Sequence, residues 1–388
     1  MASNLEKFKW LDLSLGIREG REYLRPLESM RGLAVRLVYF FHLHGIYFGP
    51  AGRDRSILMS YQTEGHTGVT LFFVLSGFLL SSPYLTSAFS GTAMPSIRNF
   101  YTARAIRILP LYYIVVLVAM VMTDQLWPGI KALIFLPVGD ALFPFSTVWW
   151  TLSIEVQFYF LLPLFFLLLQ TGRWGQMLLG LAAIAWISAY LYLCIFNQLP
   201  SHGYGLLVTQ SIFTRVPAFG VGVLAAGIFI WLKQRDDAFR NSRTARWMGS
   251  LFVISLLLGL GLVLQESGRM GRWQAEFAWQ VKNSYQAMFW GGIVLCLILL
   301  KPYGAQLIDN PFLTFMGKIS YSFYLLHLPI LFYFLPIPVD EIGKMESLSF
   351  LSFYSIAILY LLLCIAVSCL SFQFIERPIL RIKSRIRD

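Results

Sequence analysis

Ten apolar runs constrain this chain more than any other feature. They lie at 32–49, 67–83, 108–123, 148–170, 177–196, 210–232, 247–265, 284–300, 319–335 and 350–374. Each is close to the length an α-helix needs to cross about 30 Å of hydrocarbon. A spanning segment must satisfy its own backbone hydrogen bonds, so runs of this length read as helices. A shorter run at 130–138 reads as a re-entrant or interfacial piece. The fold class expected is all-α: a polytopic membrane protein with about ten transmembrane helices. Only 13% of residues are charged and 57% are hydrophobic, where soluble domains carry about 25% charged residues. A soluble enzyme and a disordered chain are therefore excluded. The net charge of +11 does not signal nucleic acid, because the basic residues cluster between apolar runs.

Those clusters orient the chain. With the N-terminus inside, the cytoplasmic segments hold 22 Lys and Arg and the outer segments hold 7. Such a bias places both termini in the cytoplasm, in a membrane expected to be the bacterial inner membrane. Residues 1–30 carry Trp10, Leu11, Leu13, Leu15 and Ile17 among charges. They are too polar for a signal peptide and read as an amphipathic cytoplasmic segment on the membrane surface. Residues 31–376 form one transmembrane domain, and 377–388 a basic cytoplasmic tail. Cys194, Cys296, Cys364 and Cys369 all lie inside apolar runs without metal or disulfide spacing, so no metal is expected.

Ionisable groups inside membrane helices are costly, so each is a functional candidate. At about 1.5 Å per residue, His42 lies roughly 16 Å beyond Arg31, and Glu155, His327 and Ser76 reach a similar depth from their own helix ends. A His and a Glu at one depth suit a general base with an orienting carboxylate. His44 points from another face of the same helix and reads as packing. Glu155 needs a cationic or donor partner, and Arg215 is a candidate. Ala218, Gly222 and Ala226 form a small-residue stripe of the kind that seats one helix on another.

Arg98, Arg104 and Arg107 precede the third run. Arg104 and Arg107 are three apart and share a helical face. Two readings are open: a topogenic cluster beside anionic lipid, or a phosphate clamp, since guanidinium groups bind phosphate bidentately. Arg31 is a candidate third member. Buried His, Glu and Arg also serve proton relays, so a proton-coupled secondary transporter is the alternative function class. Transporters often show inverted repeats, and none is evident here.

Five blocks then occur in order: Leu27-Glu28-Ser29-Met30-Arg31-Gly32-Leu33-Ala34 with ten residues between Arg31 and His42; Gly68 to Phe78 around Ser76; Arg104 and Arg107 with Pro110; Trp150-Thr151-Leu152-Ser153-Ile154-Glu155 with Phe158 and Tyr159; and Gly317 to His327. Arg215-Val216-Pro217-Ala218-Phe219 and Glu376-Arg377-Pro378 accompany them. On these blocks the chain resembles the membrane-bound acyltransferase-3 family over nearly its whole length. Thr70 and Arg36 depart from the family pattern.

The resemblance implies an O-acyltransferase that moves an acyl group, often acetyl, from cytoplasmic acyl-CoA to a hydroxyl of a sugar or glycosylated acceptor. It implies His42 as general base with Glu155 orienting or polarising, and Arg31, Arg104 and Arg107 on the phosphates of coenzyme A. It further implies Ser76, Tyr324 and His327 as cavity-lining residues, with Arg215 in the same substrate-binding set. The family's attached hydrolase-like domain is not expected here. The acceptor, the acyl length and the oligomeric state are left open by the sequence.

Overall fold

The computed structural model describes residues 24–49, 56–196, 208–234, 242–269, 277–335, 343 and 349–385. Among these residues the chain is helical and contains no strand. The helices are α1 Leu24–Phe48, α2 Ile57–Thr63, α3 Thr67–Ser90, α4 Ile97–Thr123, α5 Leu126–Leu133, α6 Trp150–Gln170, α7 Arg173–Phe196 and α8 Val216–Lys233, followed by α9 Arg243–Arg269, α10 Phe277–Leu299, α11 Pro311–Lys318, α12 Ser320–Phe334, α13 Phe350–Ser371 and α14 Arg377–Arg385. A π-helical turn, Phe372–Glu376, joins the last two.

Seven of the described helices are long and apolar enough to cross a membrane: α3, α4, α6, α7, α8, α9 and the C-terminal helix from Leu351 to Arg381. Three expected spans coincide with helices outside that set. Of these, α12 is only 15 residues long. The second, α1, carries Arg25, Glu28, Arg31 and Arg36, and α10 carries Gln280, Lys282, Asn283 and Gln286. These are the polar helices of the interior: most of α12 is buried, and α1 contributes Tyr39, Phe40, Leu43 and Tyr47 to the core.

Glycines let this interior close up. A Cβ on Gly77 of α3 would stand 2.3 Å from the Phe219 carbonyl oxygen of α8, and one on Gly222 would stand 2.1 Å from that of Val74. The stripe of Ala218, Gly222 and Ala226 is thus the seat of α3 on α8, as expected of small residues in membrane helices. Gly32 and Gly317 bring α1 against α11 in the same way. In contrast, α7 buries only Gly175 and exposes Trp174, Leu178, Leu181, Ile184, Leu191 and Ile195. Such a continuous apolar face suits a lipid environment.

Three boundaries differ from the sequence reading. Helix α4 begins at Ile97, because the Ser96 hydroxyl accepts from the Asn99 amide and caps it. Arg98, Arg104 and Arg107 therefore lie on the helix instead of preceding it. Helix α1 begins at Leu24, inside the expected 1–30 surface segment, whose residues 1–23 lie outside the described residues. The expected tail at 377–388 is helical to Arg385, and residues 386–388 lie outside the described set.

Candidate active site

His42 lies eleven positions after Arg31, close to three helical turns. Both side chains thus leave the same face of α1, the Arg31 end meeting one polar centre and the His42 end another.

The first centre is a cavity of about 580 Å³ counted out to its mouth. Arg31, Ser76, Glu155, Ser320, Tyr321 and Tyr324 line it, with Phe72, Phe73, Leu75 and Leu79 on its apolar side. Ser76 donates from Oγ to Glu155 Oε1 at 2.8 Å. Tyr159, one turn beyond Glu155 on α6, lies within electrostatic reach of the same carboxylate and of Arg104. Arg31 donates from Nη2 to Ser320 Oγ at 3.4 Å. Arg31 and Arg104 both lie within electrostatic reach of Glu155, and Arg107 lies within reach of both arginines. The Nε atoms of Arg31 and Arg104 are buried without hydrogen-bond partners, which leaves donors available in a cleft already rich in positive charge. Of the three arginines only Arg31 lines the cavity, with Arg107 within its electrostatic reach and Arg104 within that of Glu155 and Arg107; guanidinium groups so gathered are suited to a polyanionic ligand.

The expected partner of Glu155 is corrected here. Arg215, which precedes α8, instead holds its guanidinium 5.3 Å from the Trp150 ring centroid, with Tyr190 nearby. The carboxylate finds its cations on α1 and α4, at Arg31 and Arg104.

The second centre is a histidine pair. His42 Nδ1 lies 2.9 Å from His327 Nε2. His327 Nδ1 lies 2.9 Å from the Tyr324 carbonyl and 3.1 Å from that of Phe323. Carbonyl oxygens only accept, so His327 carries its proton on Nδ1 and presents a lone pair at Nε2. That lone pair accepts from His42 Nδ1–H. His42 Nε2 is then left unprotonated, the form a general base needs. The arrangement repeats a familiar logic, in which a base is held in one tautomer by the hydrogen bond at its other nitrogen.

Depth alone had matched His42 with Glu155, and the pairing is instead with His327. Depth fixes one coordinate; rotation about each helix axis fixes which side chains meet. His327 was also expected to line the cavity. It is fully buried (0% exposed) and stands behind Tyr324, ring centroids 6.0 Å apart. Tyr324 itself does line the cavity, accepting from Thr151 Oγ1 at 3.0 Å and packing against Phe72. His44 is buried against Phe48 and Phe353, in keeping with a packing role.

Two residues of this region had no role assigned from sequence. Tyr159 lies within reach of both Glu155 and Arg104, and its i+4 position after Glu155 was the available signal. Glu376, at the end of the π-helical turn, is buried, accepts from Ser322 Oγ and faces Arg31 and Arg107. Its place in the Glu376-Arg377-Pro378 block marked it, and π-turns often reorient a side chain at a functional site. Among the described residues no group of three or more His, Cys, Asp or Glu side chains is placed to hold a metal ion.

Comparison with known families returns an acyltransferase domain matching residues 26–375. The chain belongs to the acyltransferase-3 family. That membership favours the enzyme reading over the transporter. A peptidoglycan O-acetyltransferase of Listeria monocytogenes is 24% identical, the match covering 93% of this chain and 56% of that protein. A Bacillus subtilis relative named "Putative peptidoglycan O-acetyltransferase" is 24% identical over 92% of this chain and 55% of its own length. A Staphylococcus aureus relative named "Putative O-acetyltransferase" is 24% identical over 92% and 57%. The chain thus spans little more than half the length of these relatives. No solved structure matches it.

Proposed function

We propose that the chain is an integral membrane O-acyltransferase that moves a short acyl group, acetyl in the first instance, from cytoplasmic acyl-CoA to a hydroxyl of a carbohydrate acceptor. In this reading α1, α10 and α12 complete ten spans, both termini are cytoplasmic, and the host membrane is the bacterial inner membrane. Arg104, Arg107 and Arg31 hold the phosphates of coenzyme A. The pantetheine arm runs along the cavity toward Tyr324, a distance comparable to the roughly 16 Å between Arg31 and His42.

The observation that carries the proposal is the hydrogen-bond chain from the Tyr324 carbonyl through His327 to His42, which leaves His42 Nε2 as a free base. The acceptor hydroxyl gives its proton to His42 Nε2 as its oxygen attacks the thioester carbonyl carbon. The carbon–oxygen bond forms, the carbon–sulfur bond breaks, and the departing thiolate takes the proton back from His42. The products are an ester and coenzyme A as free thiol. His327 is a positioning residue. Glu155, held by Ser76, keeps the arginines in register, and Tyr324 turns its hydroxyl from the Val148 carbonyl to donate to the developing oxyanion. The relatives named as peptidoglycan O-acetyltransferases support a cell-envelope glycan as acceptor.

The test is transfer of radiolabelled acetyl from acetyl-CoA by the purified chain in nanodiscs, paired with mass spectrometry of envelope glycans in a host with and without it. Labelled ester that appears only with the intact chain supports the proposal. Acceptor uptake into vesicles without acetyl transfer would favour the transporter.

A further inference from the structure

A second polar cluster lies near His42, which does not line the cavity that holds Arg31 and Glu155. It is built on the turn between α2 and α3 and on the facing side of α10. Lys282, Gln286 and Trp290 recur every four residues on α10 and share one face. Trp290 donates from Nε1 to Thr67 Oγ1 at 2.9 Å, fixing that face against the start of α3. Lys282 lies within electrostatic reach of Glu64. Gln286, one turn from each, therefore faces the Glu64–Thr67 turn. His66 lies 3.5 Å from the Glu64 carboxylate through Nδ1. The His66 ring packs on Phe41, and His66 is within electrostatic reach of His42.

The polarity of this cluster is not explained by packing. Gln286 is 1% exposed, and neither its amide nitrogen nor its amide oxygen has a hydrogen-bond partner. The Lys282 ammonium is likewise buried without a hydrogen-bond partner, its nearest carboxylate being Glu266 at 3.9 Å. Burying an amide with neither hydrogen bond made is costly, so a chain that keeps it has a use for it. Side-chain exposure is 54% at Glu266 but only 12% at Lys282, 14% at His66 and 4% at Glu64. The cluster therefore runs from the surface inward to the turn beside His42.

We propose that Glu64, His66, Lys282 and Gln286 form the acceptor subsite, taking the hydroxyl groups of a carbohydrate and delivering one of them to His42 from the side opposite the donor cavity. The inference rests on His42 acting as the base. An amide, an ammonium and a carboxylate offer the mixed donors and acceptors that vicinal hydroxyls require. The donor then enters from the arginine end of α1 and the acceptor from the α2–α3 turn, so the two never share a mouth.

The test uses the full chain in nanodiscs with acetyl-CoA and chitotetraose as the probe acceptor, and the same sugar on a polyprenyl diphosphate carrier to separate a soluble from a membrane-held source. Gln286→Leu and Lys282→Met are each expected to raise the half-saturating sugar concentration at least tenfold, with that for acetyl-CoA unmoved. The melting temperature of Gln286→Leu is expected to hold or rise, because a buried unpaired amide is removed. A lowered melting temperature with unchanged sugar dependence would make Gln286 and Lys282 structural and overturn the proposal. Acetyl-CoA turnover by the wild-type protein with transfer to neither sugar would overturn the carbohydrate class. Absence of any acetyl-CoA use by the wild-type protein would instead overturn the donor reading, and the subsite with it.

Discussion

Helices α7 and α12 teach opposite lessons about the same hydrophobic rule. Helix α7 is mostly apolar, long enough to span, and buries only a glycine. Helix α12 is shorter, buries most of its length, and carries Ser320, Ser322, Tyr324 and His327. Bilayer lipid sets the composition of most of α7, because a polar side chain on its outer faces would meet hydrocarbon; its Trp186 and Tyr190 instead turn inward to Phe213 and Ser284. Neighbouring helices set that of α12, because buried polar groups can pair with one another. The helix most exposed to lipid is thus the least informative about the chemistry. The chemistry lies on buried faces, both of α1 and α12, which hydropathy passes over, and of the spans α3, α4 and α6, which carry Ser76, Arg104, Arg107 and Glu155.

Substitutions can break or sharpen this contrast. The largest effect is expected at His42. General-base catalysis is worth about 10²–10⁴-fold, so His42→Ala should lower acetyl transfer by that range in a steady-state assay. His44→Ala should do far less, since two residues rotate a side chain by about 200°. Next comes the arginine pair: Arg104→Gln with Arg107→Gln should weaken coenzyme A binding at least tenfold by calorimetry, taking each charge-assisted contact as about 1.5–3 kcal/mol. Unchanged affinity in the folded double variant would reduce the pair to a topology signal.

His327→Ala should cost about 10- to 100-fold in turnover, as loss of an orienting partner commonly does, with acyl-CoA affinity retained. Glu155→Gln keeps the shape but removes the charge beside Arg31 and Arg104. Turnover is expected to fall about tenfold with normal membrane insertion. The smallest effect belongs to the periphery. Ile184→Ala on α7 should leave turnover unchanged and stability within about 0.5 kcal/mol. A large loss there would contradict the division between a lipid-facing rim and a chemical interior.

Much of this was legible in the sequence, for reasons that differ by residue. Apolar length announced α3, α4, α6, α7, α8, α9 and the C-terminal span, because hydrocarbon thickness acts on every spanning helix alike. The eleven-residue step from Arg31 to His42 put both on one face, because a helical turn is a fixed 3.6 residues. The pairing of His42 with His327 was not legible. The two residues are 285 apart in sequence, and only helix rotation and packing bring their rings together. Arg215 misled for the same reason: its depth was suitable, but its azimuth turned it onto Trp150. Gln286 escaped notice because a neutral amide in a long helix carries no signal until burial and the absence of partners are seen together.

The central claim is that His327 holds His42 with its proton on Nδ1, leaving Nε2 free to act as base. The chain has five histidines, few enough for each ring to be assigned by single substitution in nitrogen-15 NMR of ring-labelled protein. The account predicts the Nδ1–H tautomer for both His42 and His327 at neutral pH, and loss of that preference at His42 in His327→Ala. A His42 ring found protonated at Nε2 in the wild-type protein would contradict it.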